Sequence, residues 1–154
     1  MQGKKADSRT IAENRKAFHD YIILECLEAG ISLTGTEIKS MRAHNVNLRD
    51  SYARIDKGEL WLLEMHVSPY KEASYFNHEP RRPRKLLVNK REIRKWLGKT
   101  KEKGLTIVPL KLYFKGNWVK VELAIVKGKK LYDKREAIIK KEQLRMIERI
   151  QKRF

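Results

Sequence analysis

The sequence predicts a mainly β fold class: short antiparallel strands closed into a barrel, with short helices around it and a conditionally helical C-terminal tail. Three observations carry this expectation. Five or six short runs are apolar or alternate apolar with polar, and each is bounded by a turn rich in Gly, Asn or Asp. Two segments carry helix-capping signatures, and both are short. The charge is unevenly placed: residues 81–103 hold eleven Lys/Arg against two Asp/Glu and residues 127–154 hold eleven against four, so two blocks supply nearly all of the net +17.

Taken in order, residues 1–10 are expected to be a disordered N-terminus, 11–131 the barrel and 132–154 a basic tail. The basic leader Asn14-Arg15-Lys16-Ala17-Phe18-His19 runs into an apolar stretch, Tyr21 to Leu27, that reads as a buried strand, with Glu28-Ala29-Gly30 as its turn. A brief strand over Ile31 to Leu33 follows. Thr34 and Glu37 then stand at capping-box spacing with Leu33 and Ile38 as the hydrophobic staple, which predicts a helix through about Ala43 with Ile38 and Met41 facing the core. Ser51 to Ile55 and Leu60 to Glu64 flank Asp56-Lys57-Gly58-Glu59 and read as a hairpin, because Gly58 supplies the positive φ of a tight turn.

Pro69 to Arg84 contains three of the four prolines and no periodicity, so it reads as a long loop. Asn89 and Glu92 repeat the capping signature, with Val88 and Ile93 as staple. Ile93, Trp96 and Leu97 form one apolar stripe before Gly104, and the other faces are almost wholly basic. Leu105 to Phe114 and Trp118 to Val126 are two longer strands. In the second, Val119, Val121, Leu123 and Ile125 alternate with Lys120, Glu122 and Ala124, which predicts one core face and one solvent face. Beyond Lys127 apolar residues are sparse, with Leu144, Ile147, Ile150 and Phe154 three or four apart; this amphipathic segment is expected to order only on a partner. Together these elements fit a Greek-key barrel of the oligonucleotide/oligosaccharide-binding (OB) type.

A chain of 154 residues can bury one core but not two. No apolar run approaches the ~20 residues of a membrane span, and Met1 to Thr10 lacks the apolar core of a signal peptide, so a cytoplasmic protein with no membrane partner is expected. The single cysteine, Cys26, excludes an internal disulfide and a thiolate zinc cluster, and its apolar setting reads as a small buried hydrophobe. No histidine pair has metal-ligand spacing, and neither a phosphate-binding Gly-rich loop nor a nucleophile elbow is present. No enzyme signature or cofactor site follows, although folding could in principle join His19 and His78 with a lysine as a nuclease site.

A surplus of cations in two blocks suits a polyanion, since each Lys or Arg that replaces a counterion on a phosphate gains free energy from its release. Three sets of residues could do this. Asn14 to Tyr21 offers an amide, two cations and an imidazole within six positions; a solvated strand leader is its alternative. In Arg81-Arg82-Pro83-Arg84-Lys85-Leu86-Leu87-Val88-Asn89 the proline holds the chain extended so that cations are displayed, and a solvated face would normally mix in acids. Gly128-Lys129-Lys130-Leu131-Tyr132-Asp133-Lys134-Arg135 interleaves an aromatic with five cations, counting Lys127; a solubility tail is the alternative.

In this order, and together with Glu28-Ala29-Gly30, Gly35-Thr36-Glu37-Ile38-Lys39-Ser40, Asp50-Ser51-Tyr52, Asn77-His78 and Arg84-Lys85-Leu86-Leu87, these sets closely resemble small protein B, the SsrA-binding (tmRNA-binding) family of bacterial trans-translation. The resemblance runs from about Ile11 to Arg135. It implies an OB-type barrel and a non-enzymatic role, in which the protein binds the elbow of the tRNA-like domain of tmRNA, supports its alanylation, and accompanies it with elongation factor Tu to stalled ribosomes. The barrel would fill the volume of the missing anticodon arm. The tail would enter the decoding centre and the empty message channel and become helical there. By the same resemblance Asn14, Arg15, His19, Glu28, Arg84, Lys85 and Leu87 would form the tmRNA face. Gly128, Lys129, Lys130, Asp133, Lys134 and Arg135 would form the ribosome-facing element, with Tyr132 as a ring for stacking. Composition alone fits a structural RNA-binding protein, such as a ribosomal subunit component, equally well.

Overall fold

Two eleven-residue strands organise the chain, β8 (Leu105–Lys115) and β9 (Trp118–Gly128), paired antiparallel along their whole length. The computed structural model describes residues 8–73, 76–128 and 141–149. Before the pair come β1 (Ser8–Glu13), α1 (Arg15–Asp20), β2 (Tyr21–Ile31), α2 (Gly35–Arg42), β3 (Val46–Asn47), β4 (Tyr52–Asp56), β5 (Glu59–Leu63), β6 (His66–Val67), β7 (Arg84–Leu87) and α3 (Lys90–Thr100). Residues 141–149 form a further helix, α4, and all of them are exposed. None of the described helices is long and apolar enough to cross a membrane.

The strands β8, β4, β5, β7, β2 and β9 pair in that order, and β9 pairs back onto β8, so six antiparallel strands close a ring. This is the expected OB-like barrel. Closure follows from alternation: Leu60, Leu62, Leu86, Leu112, Val121 and Leu123 point inward and are buried, and only a closed sheet gives all of them a common interior. The β4–β5 turn has both Lys57 (φ 50°) and Gly58 (φ 76°) in the left-handed region, as a two-residue hairpin requires.

Several elements differ from expectation. Strand β1 begins at Ser8, because Ser8, Arg9 and Thr10 pair with Lys115, Phe114 and Tyr113 of β8; they are strand rather than disordered leader. Strand β2 runs through Glu28-Ala29-Gly30 without turning, since those residues pair with Glu122, Val121 and Lys120. In β2 Ile22, Leu24 and Cys26 are exposed, so Cys26 is not a core residue. In α2 the buried positions are Glu37, Ser40 and Met41, while Ile38 is only partly buried. Helix α3 buries Ile93 and Trp96 and ends at Thr100, leaving Leu97 exposed.

In β9 the solvent face is covered in its second half. Ala124 and Val126 pack with Val108, Leu110 and Ala17, because α1 lies across the outside of the barrel there. A bulge in β8 between Pro109 and Lys111 makes the seat for α1. Proline cannot donate to the ladder, and the carbonyls there turn to the start of α1: Asn14 N–H donates to Leu110 O at 2.8 Å and Asn14 Nδ2 to Pro109 O at 2.9 Å.

Candidate nucleic-acid interface

One exposed surface spans β5, β7 and β2. In β7 the pleat sends Arg84 and Leu86 inward, and therefore Lys85 and Leu87 outward. Leu87 lies directly opposite Gly30, where a Cβ would stand 3.2 Å from the leucine Cβ; glycine there gives Leu87 its room. Glu28 is two residues from Gly30 on the same outward face. Lys85, Leu87 and Glu28 line one open cleft of about 540 Å³ together with Asn89 and Lys90 at the start of α3. Leu87 is 54% exposed, an apolar side chain with nothing over it, and Lys85 makes a half-exposed pair with Glu59 at 3.3 Å.

The Glu28 carboxylate is held from behind. Tyr113 Oη–H donates to one oxygen at 2.5 Å and Lys115 Nζ to the other at 3.3 Å. The tyrosine hydrogen bond, aided by Lys115, keeps the carboxyl below its usual range against the opposing effect of burial. Burial and the same hydrogen bond push the Tyr113 hydroxyl upward. Glu28 is thus an ionised group that fixes a tyrosine and a lysine on the outer face, and its charge is largely answered before any phosphate approaches. Tyr113 and Lys115 are missing from the sequence-derived site. The signal for them was the outward alternation of Lys111, Tyr113 and Lys115 in β8, the first of which stacks over the second's ring at 5.6 Å from the centroid.

Arg84 corrects the expected set: its side chain is fully buried and cannot touch an RNA. It pairs with Glu37, also fully buried, which in turn takes Arg82 and the Thr34 N–H at 2.9 Å. Arg84 further donates to the carbonyls of Met65 (2.8 Å), Arg82 (3.1 Å) and Pro80 (3.1 Å), so it ties the loop before β7 to α2. Burial acts to raise the Glu37 pKa, but the hydrogen bonds from Arg82, Thr34 and Arg84 outweigh it and the net displacement is downward.

Asn14 is likewise internal. Its Oδ1 caps α1 by accepting from Ala17 N–H at 3.2 Å, and its Nδ2 is bonded to Pro109 O. Arg15 and His19 are exposed, and with Lys16 and Arg49 they border a second concavity of about 420 Å³. Gly128 stands opposite Tyr21, immediately after α1, so the root of the basic tail and this concavity share one end of β2. Glu28 is seven residues further along that strand, roughly 20 Å away. The expected tmRNA face therefore divides into two patches on one barrel wall. Lys129, Lys130, Tyr132, Asp133, Lys134 and Arg135 lie outside the described residues.

His78 does not join His19 in a catalytic pair. Its Nδ1 is 2.9 Å from Thr36 Oγ1 and its Nε2 2.9 Å from Val67 O, so both ring nitrogens are engaged in holding the loop against α2 and β6. No group of three or more His, Cys, Asp or Glu among the described residues could hold a metal ion.

The chain has extensive similarity to known proteins. The SmpB protein family matches residues 11–153. The SsrA-binding protein of Carboxydothermus hydrogenoformans is 65% identical over 141 residues, covering 92% of this chain and 95% of that one. That of Trichormus variabilis is 53% identical over 155 residues, covering all of both chains. A solved chain from "tmRNA-SmpB: a journey to the center of the bacterial ribosome" is 53% identical with a TM-score of 0.66, over 77% of this chain and 83% of that one. On the family match, the identities and the shared barrel together, this chain belongs to the SmpB protein family.

Proposed function

We propose that this protein binds the tRNA-like domain of tmRNA and, with elongation factor Tu bound to the same alanyl-tmRNA, delivers it to stalled ribosomes. It acts as a binding protein in the cytoplasm, not as an enzyme. The observation that carries the reading is the surface built from Lys85, Leu87 and Glu28: an exposed apolar side chain beside a lysine and a carboxylate that is already hydrogen-bonded. A splayed base or ribose packs on Leu87, Lys85 answers a phosphate, and Glu28 holds Tyr113 and Lys115 where they meet the same backbone. Arg15 and His19 supply the second patch. The relatives' name, SsrA-binding protein, and the tmRNA–SmpB structural relative support the same assignment.

The proposed ribosome-facing element begins at Gly128, beside the α1 patch, and comprises Lys129, Lys130, Asp133, Lys134 and Arg135; the tail spans residues 132–154. Helix α4, with Leu144, Met146 and Ile147 exposed, is the segment that settles in the decoding centre and the empty message channel. Removing residues 133–154 tests this division of labour: RNA affinity is expected to stay nearly unchanged, while transfer of a stalled peptide to alanyl-tmRNA is lost in a reconstituted system. Full-rate transfer by the truncated protein would remove the tail from the mechanism.

A further inference from the structure

At the end of the β8–β9 hairpin far from Gly128, three elements converge on a pocket of about 280 Å³. It is lined by Arg9 of β1, Arg42 at the end of α2, His44 just beyond it, and Phe114, Gly116 and Asn117 of the hairpin. Register brings Arg9 there, since it pairs with Phe114 at the edge of the sheet. His44 is held in the left-handed region (φ 59°), uncommon for a residue with a side chain. Its ring is fixed because Nδ1 donates to Ile11 O at 3.1 Å, which leaves Nε2 as the uncommitted nitrogen.

The charge of this pocket is unanswered. Arg9 and Arg42 have no carboxylate within ion-pair distance among the described residues, and no Asp or Glu lines the pocket. Lys16, Lys85, Lys99 and Lys115 are each paired with an acid, whereas among the described residues Arg15 and Arg49 of the α1 patch, like Arg9 and Arg42, are not; what sets Arg9 and Arg42 apart is that two guanidinium groups share one concavity that no acid lines. Two guanidinium forks in one concavity suit a tetrahedral dianion or phosphodiester, whose oxygens each accept two N–H groups. The cation of Arg42 also offsets the partial negative charge at the C-terminal end of α2.

We propose that this pocket binds a backbone phosphate of RNA, at a site separate from the Lys85–Leu87–Glu28 surface. The pleat separates the two sites: Arg9 is level with Phe114, whereas Tyr113 and Lys115, which hold Glu28, point to the other face of β8. An RNA strand in this pocket approaches the hairpin from the side opposite to the one on the cleft, so it is either a wrapped segment of the tRNA-like RNA or ribosomal RNA.

This rests on the RNA-binding role proposed above, and one experiment separates their failures. The full chain and its Arg9→Ser/Arg42→Ser variant are titrated over a range of salt, with the tRNA-like domain of tmRNA in one arm and purified ribosomes in the other. Loss of the one phosphate contact that the two guanidinium groups share is expected to make the log–log slope shallower by about 1 in one arm, which identifies the source of the phosphate. Arg9→Lys/Arg42→Lys should restore most of the slope, and Asn117→Asp, which adds a carboxylate at the exposed mouth, should reproduce the loss without touching a strand. Steep wild-type slopes that both variants leave unchanged in both arms overturn the pocket alone. Wild-type slopes near zero overturn the pocket and the RNA-binding role together.

Discussion

Replacing Arg84 by alanine separates a framework role from a contact role. In the fold this side chain is fully buried, pairs with Glu37 and donates to three backbone carbonyls, those of Met65, Pro80 and Arg82. Removing one partner of a buried ion pair costs about 3–5 kcal/mol. Three backbone hydrogen bonds at about 1 kcal/mol each give a similar figure. Because Arg82 and the Thr34 N–H still hold Glu37 when Arg84 is gone, the lower end applies, about 3 kcal/mol. For a chain of this size that lowers the thermal midpoint by roughly 6–12 °C. Circular dichroism melts of Arg84→Ala beside Lys85→Ala provide the assay. The half-exposed Lys85–Glu59 pair contributes less than about 1 kcal/mol, so Lys85→Ala should melt near wild type and instead lose about one unit of the salt slope of RNA binding. An Arg84→Ala protein that melts like wild type but binds RNA more weakly would place Arg84 at the interface and not in the framework.

Other outcomes follow from the same geometry. Glu37 and Glu28 both titrate below their ordinary values in the folded state, so their stabilisation is complete above the unfolded value and is lost as pH falls through the folded one; urea midpoints should decline from about pH 5 downward, and less steeply in Glu37→Gln. Asn14→Ala should cost about 1–2 kcal/mol by uncapping α1, measured by urea unfolding, whereas Arg15→Ala and His19→Ala should leave stability unchanged and weaken RNA binding in gel shifts. Glu28→Ala should raise the Kd for the tRNA-like domain about tenfold or more without lowering the melting transition much, through the lost hold on Tyr113 and Lys115. Tyr113→Phe should give part of that loss, and equal affinities would leave Glu28 as an ordinary strand residue.

The barrel was legible because its signals are local. Gly58 marks one turn, Val119 to Ile125 alternate, and Thr34 and Glu37 mark the start of α2. Misreadings arose where a local signal served a tertiary purpose. Gly30 looked like a turn residue, but it is glycine so that Leu87 can lie across the neighbouring strand. The proline-held cations around Arg84 looked displayed, yet counting by twos from the inward Leu86 sends Arg84 inward too, where Glu37 awaits it from a helix 47 residues away in sequence. The partners of Glu28 lie 85 and 87 residues along the chain, a separation that no motif spacing encodes. Cys26 and Ala124 exchanged roles for a related reason: α1 covers one part of the outer wall and leaves the rest to solvent, and neither strand's own sequence specifies where that cover ends.

In the proposed rescue role this chain recognises one tRNA-like RNA rather than ribosomes in general. Sequencing the RNA that co-purifies with the protein, with its ratio to ribosomes counted in the same preparation, tests it most directly. A rescue role predicts strong enrichment of a single tRNA-like RNA, protein well below one copy per ribosome, and loss of that RNA in a Lys85→Ala/Leu87→Ala variant. Ribosomal RNA as the sole companion, with one protein copy on every ribosome, would contradict it and make the protein a structural component of the subunit.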